Sequence, residues 1–169
     1  VLGLNEMIIR ESDDPTIKKY AVDIENAGKS LLSIVNDILD FSKIEAGKME
    51  IVPANYHLSS MVNDLVNMIA KRAKDKNLAL NIDIDKNIPN LLFGDDVRIK
   101  QCILNILTNA VKYTKEGSVT MRLSFKQTGE NHIDLTVHVI DTGIGIKTED
   151  LPKLFTAFQR IEENKNRTI

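Results

Sequence analysis

The sequence predicts an α+β protein, in which an antiparallel or mixed sheet carries helices on one face and a helical hairpin precedes it. Three observations predict this class. Ile17, Ile24, Leu31 and Ile38 recur every seventh residue, the mark of a long amphipathic helix. Three later runs, at residues 78–84, 119–125 and 133–139, alternate apolar with polar residues, the period of a half-buried strand. Between the first two runs lies RIKQCILNILTNAVKYT, residues 98–114, whose Ile99, Ile103, Ile106, Leu107 and Ala110 fall at helical spacing and mark a buried face.

Composition narrows the class further. The 169 residues suffice for one ordinary core plus a helical appendage, and 43% hydrophobic with 27% charged residues is the balance of a soluble globular protein. A net charge of −2 gives no general attraction to nucleic acid or to an anionic membrane. The lack of Trp and an aromatic content of 5% speak against a base-stacking platform. Cys102 is the one cysteine, so no intrachain disulfide can form, which suits a reducing cytoplasm; its place in the central helix fits a small buried apolar residue. No apolar run is long enough to span a bilayer and no signal peptide is present. The expectation is a cytoplasmic segment without direct membrane contact, whose longer parent can still be anchored in the inner or plasma membrane.

In chain order, residues 1–10 read as the end of a helix cut at its start. Ser12-Asp13-Asp14-Pro15 reads as a turn that places Pro15 at the first position of the next helix. That helix is expected from about Pro15 to about Ala46. Its seam comprises Ile17, Ile24, Leu31 and Ile38, then Tyr20, Ala27, Ile34 and Phe41, then Ala21, Gly28 and Val35. So wide a seam suits one member of a four-helix bundle, completed by a second copy of the chain as a symmetric dimer. The alternative is that the helix packs on its own globular domain. Gly47 stops it, and residues 48–57 form an extended link in which Pro53 bars a central strand.

From residue 58 the second domain begins. Ser59 or Ser60 is expected to cap a helix to about Asp75, with Val62, Leu65, Val66, Ile69, Ala70 and Ala73 as its core stripe and Lys71, Arg72, Lys74 and Lys76 favouring its C-terminal end. A strand follows at residues 77–85, then a turn at Ile88-Pro89-Asn90 and a brief apolar anchor, Leu91-Leu92-Phe93. Asp95 or Asp96 caps the central helix. Lys115-Glu116-Gly117 turns the chain into a strand through Val119, Met121, Leu123 and Phe125. A hairpin connection at residues 128–131 leads to Ile133, Leu135, Val137 and Val139. That last strand delivers Asp141 to a Gly turn, DTGIGI, before Thr148 caps a short helix.

Gln101, Asn105, Asn109 and Lys112 lie three or four residues apart on the central helix and so share one side. Carboxamides and an ammonium on a helix that is otherwise apolar are expensive to bury without partners, so they line either solvent or a polar ligand. Asn109 offers an amide oxygen suited to Mg²⁺, a hard cation that usually keeps water and phosphate ligands. Lys112 supplies a point charge for a phosphate. Asp141, a hydrogen-bond acceptor when ionised, can select an exocyclic amine such as that of adenine, and Gly143 and Gly145 let backbone lie close to a flat ring. The GxG alone is weak and is not a dinucleotide fingerprint, since the third glycine is missing.

Taken together, these stretches resemble the sensor histidine kinases of two-component systems. DVRIKQCILNILTNAVKYT resembles that family's N box, DTGIGI its first Gly box, LFTAFQR its F box, and NDILDFSKIEAGKMEI the end of the second dimerisation helix with its link. The match runs from near Val1 to about Arg160, in the family's order and spacing. The resemblance implies a Bergerat-type ATP-binding fold over residues 58–169, after a dimerisation hairpin at 1–47 and a linker at 48–57. It implies Asn109 as the magnesium ligand and Asn105 as the catalytic polar residue that positions water and metal. Lys112 and Tyr113 would line phosphates and ribose, with Asp141 reading adenine beside Gly143 and Gly145. Phe155 and Phe158 would hinge the ATP lid, and Arg160 would stand near the terminal phosphate. The implied reaction is transfer of the ATP γ-phosphoryl to a histidine and then to an aspartate of a response-regulator receiver domain, a phosphorelay in signal transduction.

Two departures from the family pattern stand out. The acceptor box is expected just before Val1, and none of His57, His132 and His138 has its context. The family's later Gly box and strands are expected after Ile169, so the catalytic domain reads as truncated at its end, and these residues alone are expected not to autophosphorylate. Two other functions compete. Chaperone, mismatch-repair and topoisomerase-type ATPases share the fold but carry a Glu general base where this chain has Asn105, and they lack the bundle helix. A dimerising module with a degenerate nucleotide site is the non-enzymatic alternative, against which stand the intact Asn109, Lys112 and Asp141.

Overall fold

Asp14 sets the start of the longest helix. Its carboxylate accepts the backbone N–H groups of Thr16 at 2.7 Å and Ile17 at 3.2 Å, two donors that a helix start otherwise leaves unpaired. Pro15 follows at the first position, and α2 runs Pro15–Glu45 after α1, Leu2–Glu11. In this computed structural model, which describes residues 1–153, the chain divides into two units, Val1–Ile51 and Val52 onward. The end of α2 is a Schellman motif: Gly47, at φ +63°, donates to Ile44 O at 3.0 Å, and Lys48 donates to Lys43 O at 2.8 Å. Glycine suits that left-handed position because it carries no Cβ.

The first unit is a helical hairpin. Asn5 is buried between the helices and donates its Nδ2 to Ala21 O at 2.6 Å, while its Oδ1 finds no partner among the described residues. Gly28 admits the side chain of Leu2, whose Cδ2 would lie 2.6 Å from a Cβ there. The expected seam divides: Ala21 and Gly28 face α1, Ala21 being 2% exposed, while Leu31 is 63% exposed and Ile17, Tyr20, Ile24, Ile34 and Ile38 lie on the surface of the single chain as well.

The second unit runs β1 (Ala54–His57), α3 (Leu58–Asp75), β2 (Ala79–Ile84), β3 (Leu91–Gly94), α4 (Asp96–Tyr113), β4 (Ser118–Gly129), β5 (His132–Asp141) and a 3-10 turn at Thr148–Lys153. The main sheet has the order β2-β4-β5 and is mixed. β2 pairs β4 in parallel from Ala79↔Ser118 to Ile84↔Leu123, because α4 intervenes between them, and the β4–β5 hairpin is antiparallel. Val119, Met121 and Leu123 point from β4 into a core with Leu65, Ile69 and Ala73 of α3 and Ile103, Leu107 and Val111 of α4. The other side of the sheet is polar, with Arg122 Nε on Asp83 Oδ2 at 2.7 Å. Thus the α3 stripe and the alternation of β4 and β5 pack as the core, whereas of the alternation read at residues 77–85 only Leu78 and Leu80 pack on it, and Ile82 and Ile84 are exposed.

The structure departs from the sequence reading at several places. Residues 54–57, expected within a link, form β1, which pairs antiparallel with β3; Pro53 stands just before it and withholds no ladder bond. Leu91-Leu92-Phe93 is therefore strand rather than anchor, and only Leu92 turns inward while Phe93 is 71% exposed. Neither Ser59 nor Ser60 caps α3. His57 holds the cap position without a side-chain bond, and Asn90 satisfies the helix start from a distance, its O accepting Leu58 N at 2.8 Å and its Oδ1 accepting Ser59 N at 2.9 Å. Ile106, expected on the buried face of the central helix, is 54% exposed. It stands about 60° around the helix from Ile103 and about 60° from Asn109, at the margin of the apolar arc. Cys102, expected inside, lies on the same exposed side. The 3-10 turn after Thr148 takes the place of the short helix.

Candidate functional site

Asp95 anchors the start of α4. Its Oδ1 accepts Arg98 N at 3.0 Å as the helix cap, and its Oδ2 accepts Val52 N at 3.0 Å. The Val52 and Arg98 amides hold its carboxyl below the usual carboxylate range. Beside it, burial raises the Tyr56 hydroxyl above its ordinary value, and the charge of Asp96 adds to the effect.

The far end of α4 is where Tyr113 meets the Gly turn. A helix leaves its last carbonyls without intrahelical partners, and here each one is accounted for. Ala110 O accepts Thr114 N at 3.1 Å and the buried Thr114 Oγ1 at 2.7 Å. Lys76 Nζ donates to Val111 O at 2.8 Å, Lys112 O at 2.7 Å and Thr114 O at 3.3 Å. Tyr113 O accepts Ile144 N, from the Gly turn, at 3.4 Å. Lys112 Nζ lies 5.1 Å from the Tyr113 ring centroid, within reach of a cation–π contact.

The Gly turn packs directly onto this end. Asp141 Oδ1 accepts Gly143 N at 2.9 Å, which folds the turn back over the strand tip. A Cβ at position 143 would stand 2.7 Å from Asp141 Oδ1, 2.7 Å from Tyr113 O and 3.1 Å from Thr114 Oγ1. Gly145 is needed for a different reason: its φ is +67°, with nothing within 4 Å of the missing Cβ. Thr142 Oγ1 accepts Ser118 N at 3.0 Å and donates to Glu116 O at 3.2 Å, which ties the turn to the start of β4. Gly117, at φ +106°, leaves room for that hydroxyl.

Asn105 and Asn109 lie on the exposed side of α4, on the same side as Cys102 and Ile106. Their amides make no hydrogen bond among the described residues, so both oxygens are available to a ligand. The structure therefore brings Asp141, Gly143 and Tyr113 into contact, and strings Asn105, Asn109 and Lys112 along the helix that ends there. No hydrogen bond among the described residues joins Asn105 or Asn109 to Asp141. Phe155, Phe158 and Arg160 lie outside the described residues. Lys76, Thr114 and Thr142, which hold the helix end and the Gly turn, escaped the sequence reading as parts of the site. Thr142 stands inside DTGIGI and Thr114 ends the helix motif, so their positions were visible; Lys76 gave no local signal, because its partners are thirty-five residues or more along the chain.

No group of three or more His, Cys, Asp or Glu able to hold a metal occurs among the described residues. A divalent cation here would rest on a single amide oxygen together with ligand oxygens and water, the way Mg²⁺ is commonly held beside phosphates. Among the described residues no helix is long and apolar enough to cross a membrane.

Residues 94–168 match the family described as histidine kinase-, DNA gyrase B- and HSP90-like ATPase, and residues 1–47 match the His kinase A phospho-acceptor domain. Hybrid signal transduction histidine kinase B of Dictyostelium discoideum is 39% identical over 167 residues, 99% of this chain and 8% of the relative. The signal transduction histidine-protein kinase BarA of Escherichia coli K12 is 32% identical over 99% of this chain and 18% of its own length. Among solved structures, full-length ShkA in complex with AMPPNP shares the fold with a TM-score of 0.76 at 26% identity, over 95% of this chain and 34% of that one. The chain thus spans less than a fifth of the length of these two curated relatives. An ATPase-family match containing the site, a phospho-acceptor match over the hairpin, and relatives aligned across both place it: the chain belongs to the sensor histidine kinases.

Proposed function

We propose that these residues form the nucleotide-binding and dimerisation core of an ATP-dependent protein-histidine kinase in a two-component system. The observation that carries the reading is the junction of Tyr113, Gly143 and Asp141. It fixes a carboxylate and a flat, side-chain-free backbone at the end of a helix that displays Asn105, Asn109 and Lys112. Asp141 selects the adenine amine, Gly143 and Gly145 accept the ring, and Lys112 and Tyr113 face ribose and phosphates. Asn109 would hold Mg²⁺ through its amide oxygen, and Asn105 would orient the water and metal around it. When bound, the metal would neutralise phosphate charge alongside Lys112. The family resemblance assigns Phe155 and Phe158 to the ATP lid and Arg160 to the terminal phosphate; all three lie outside the described residues.

In the reaction a histidine nitrogen attacks the γ-phosphorus of ATP, the bond to the β–γ bridging oxygen breaks, and ADP leaves. The chain's part is positioning and charge neutralisation, which dominate phosphoryl transfer. The residues matching the phospho-acceptor domain contain no histidine, and His57, His132 and His138 all lie beyond them, so the acceptor is a histidine outside this sequence. The phosphoryl group then passes to an aspartate of a receiver domain. The exposed seam of α2 is covered by the same seam of a second copy, giving a dimeric four-helix bundle. We assign residues 1–47 to this hairpin and 58–169 to the catalytic domain, which also takes residues 54–57 of the expected 48–57 link as β1, with no role for nucleic acid.

Thermal unfolding of the full-length protein with and without Mg-ATP tests the reading. Wild type is expected to gain several degrees in Tm and Asp141→Asn to gain none. No gain for wild type overturns nucleotide binding, and an equal gain for Asp141→Asn removes the adenine assignment.

A further inference from the structure

We propose that Lys76 is a positioning residue of the nucleotide site: it corrects the electrostatic polarity of the helix end on which phosphates are received. This inference rests on the nucleotide reading above and deepens it. The C-terminal end of an α-helix carries roughly half a negative charge, the wrong pole for an anionic ligand. The end of α4 is such a pole, and Lys112 and Tyr113, the residues assigned to phosphates and ribose, belong to its last turn. An ammonium has three N–H donors, and Lys76 directs them at the carbonyls of Val111, Lys112 and Thr114, at 2.8, 2.7 and 3.3 Å. The pole is thereby both hydrogen-bonded and offset by a full positive charge.

The position of Lys76 is built rather than incidental. It is the C-cap of α3, and the cap is a Schellman motif. Asn77, at φ 55°, donates to Lys74 O at 2.9 Å, and Leu78 donates to Ala73 O at 2.9 Å. Ala73 and Leu78, the pair the motif brings together, are both buried. A left-handed non-glycine residue thus fixes where the lysine stem leaves α3, and the stem reaches a second helix rather than its own. Tyr113 O, left over from the three-carbonyl set, is free to receive Ile144 N, so the hold of Lys76 on residues 111–114 extends to the Gly turn.

Titration calorimetry of the full-length protein with Mg-ATP and, separately, with adenosine tests the assignment. Lys76→Met removes the charge and keeps the stem, Lys76→Arg restores a charged donor, and Lys74→Met removes an equal charge from the preceding turn. Lys76→Met is expected to weaken ATP roughly three- to tenfold and adenosine by less than about twofold, as loss of charge at a helix pole predicts. Lys76→Arg recovers most of the ATP affinity, and Lys74→Met leaves it unchanged. Unchanged ATP affinity in Lys76→Met, or an equal loss for ATP and adenosine, overturns the proposal, the second outcome meaning that α4 has merely loosened. If Lys76→Met does not fold, Lys76→Gln takes its place, and ATP affinity equal to that of Lys76→Arg overturns the proposal. Wild type that binds neither ligand overturns the nucleotide reading itself and this inference with it. Where wild type binds and Asp141→Asn does not, the nucleotide reading stands, and unchanged affinity in Lys76→Met overturns the role of Lys76 alone.

Discussion

Gly143 lies so close to Tyr113 that a Cβ on it would stand 2.7 Å from the Tyr113 carbonyl oxygen. Backbone cannot yield as a flexible side-chain tip can, so Gly143→Ala must push the DTG turn off the end of α4. The expected cost is about 1–3 kcal/mol of stability, read as a fall in urea midpoint, together with loss of nucleotide binding. Gly145→Ala is the contrast. There the Cβ meets nothing, and the cost is the left-handed backbone alone, about 1 kcal/mol. Equal midpoints for Gly143→Ala and wild type would mean that the turn is not held against Tyr113.

Asn109 separates ligand binding from stability. Its amide is exposed and makes no hydrogen bond among the described residues, so Asn109→Ala should shift unfolding by no more than about 0.5 kcal/mol. The same substitution is expected to abolish the Mg²⁺-dependent part of ATP binding, seen as equal ATP affinity with Mg²⁺ and with a chelator. A retained magnesium effect would remove Asn109 from the metal site.

What the sequence makes legible follows from the range of each interaction. Helix and strand periods are local, and so is DTGIGI, whose Asp141–Gly143 bond spans two residues. Hence the α3 stripe, the β4–β5 alternation and the Gly turn are all readable. β1 is not, because a four-residue strand exists only by pairing with β3 some forty residues on. The cap of α3 is hidden for the same reason: Asn90 supplies it from thirty-one residues away. Ile106 and Cys102 fail differently. An apolar residue at helical spacing reads as buried, whereas the arc that packs on the sheet is narrower than the pattern of apolar letters.

Asp95 gives a pH dependence whose sign can be worked out. Its folded carboxyl is held below its unfolded value by the Val52 and Arg98 amides, so the ionised form is the one the fold prefers. Its contribution is therefore complete above the unfolded pKa, about 4, and is lost as pH falls through the folded value. Asp95→Asn keeps an acceptor oxygen but no charge. The stability gap between wild type and Asp95→Asn should be level above about pH 5 and narrow below about pH 4. A gap that persists to about pH 2 would mean that the amides bind the neutral carboxyl as well as the charged one.

The seam of α2 tests the dimer. Leu31 and Ile34 are 63% and 55% exposed in the single chain, more apolar surface than one helix gains by showing to water. In a bundle each would be covered. Burying two such side chains per protomer contributes about 3–6 kcal/mol, so Leu31→Glu with Ile34→Glu should weaken dimerisation by more than roughly a hundredfold. Light scattering after size exclusion reads this as a halved mass. Lys29→Glu, which breaks only the exposed pair with Glu25 on the same helix, should leave the mass unchanged. A double-glutamate variant that stays dimeric would place the subunit contact elsewhere and leave the seam for another partner.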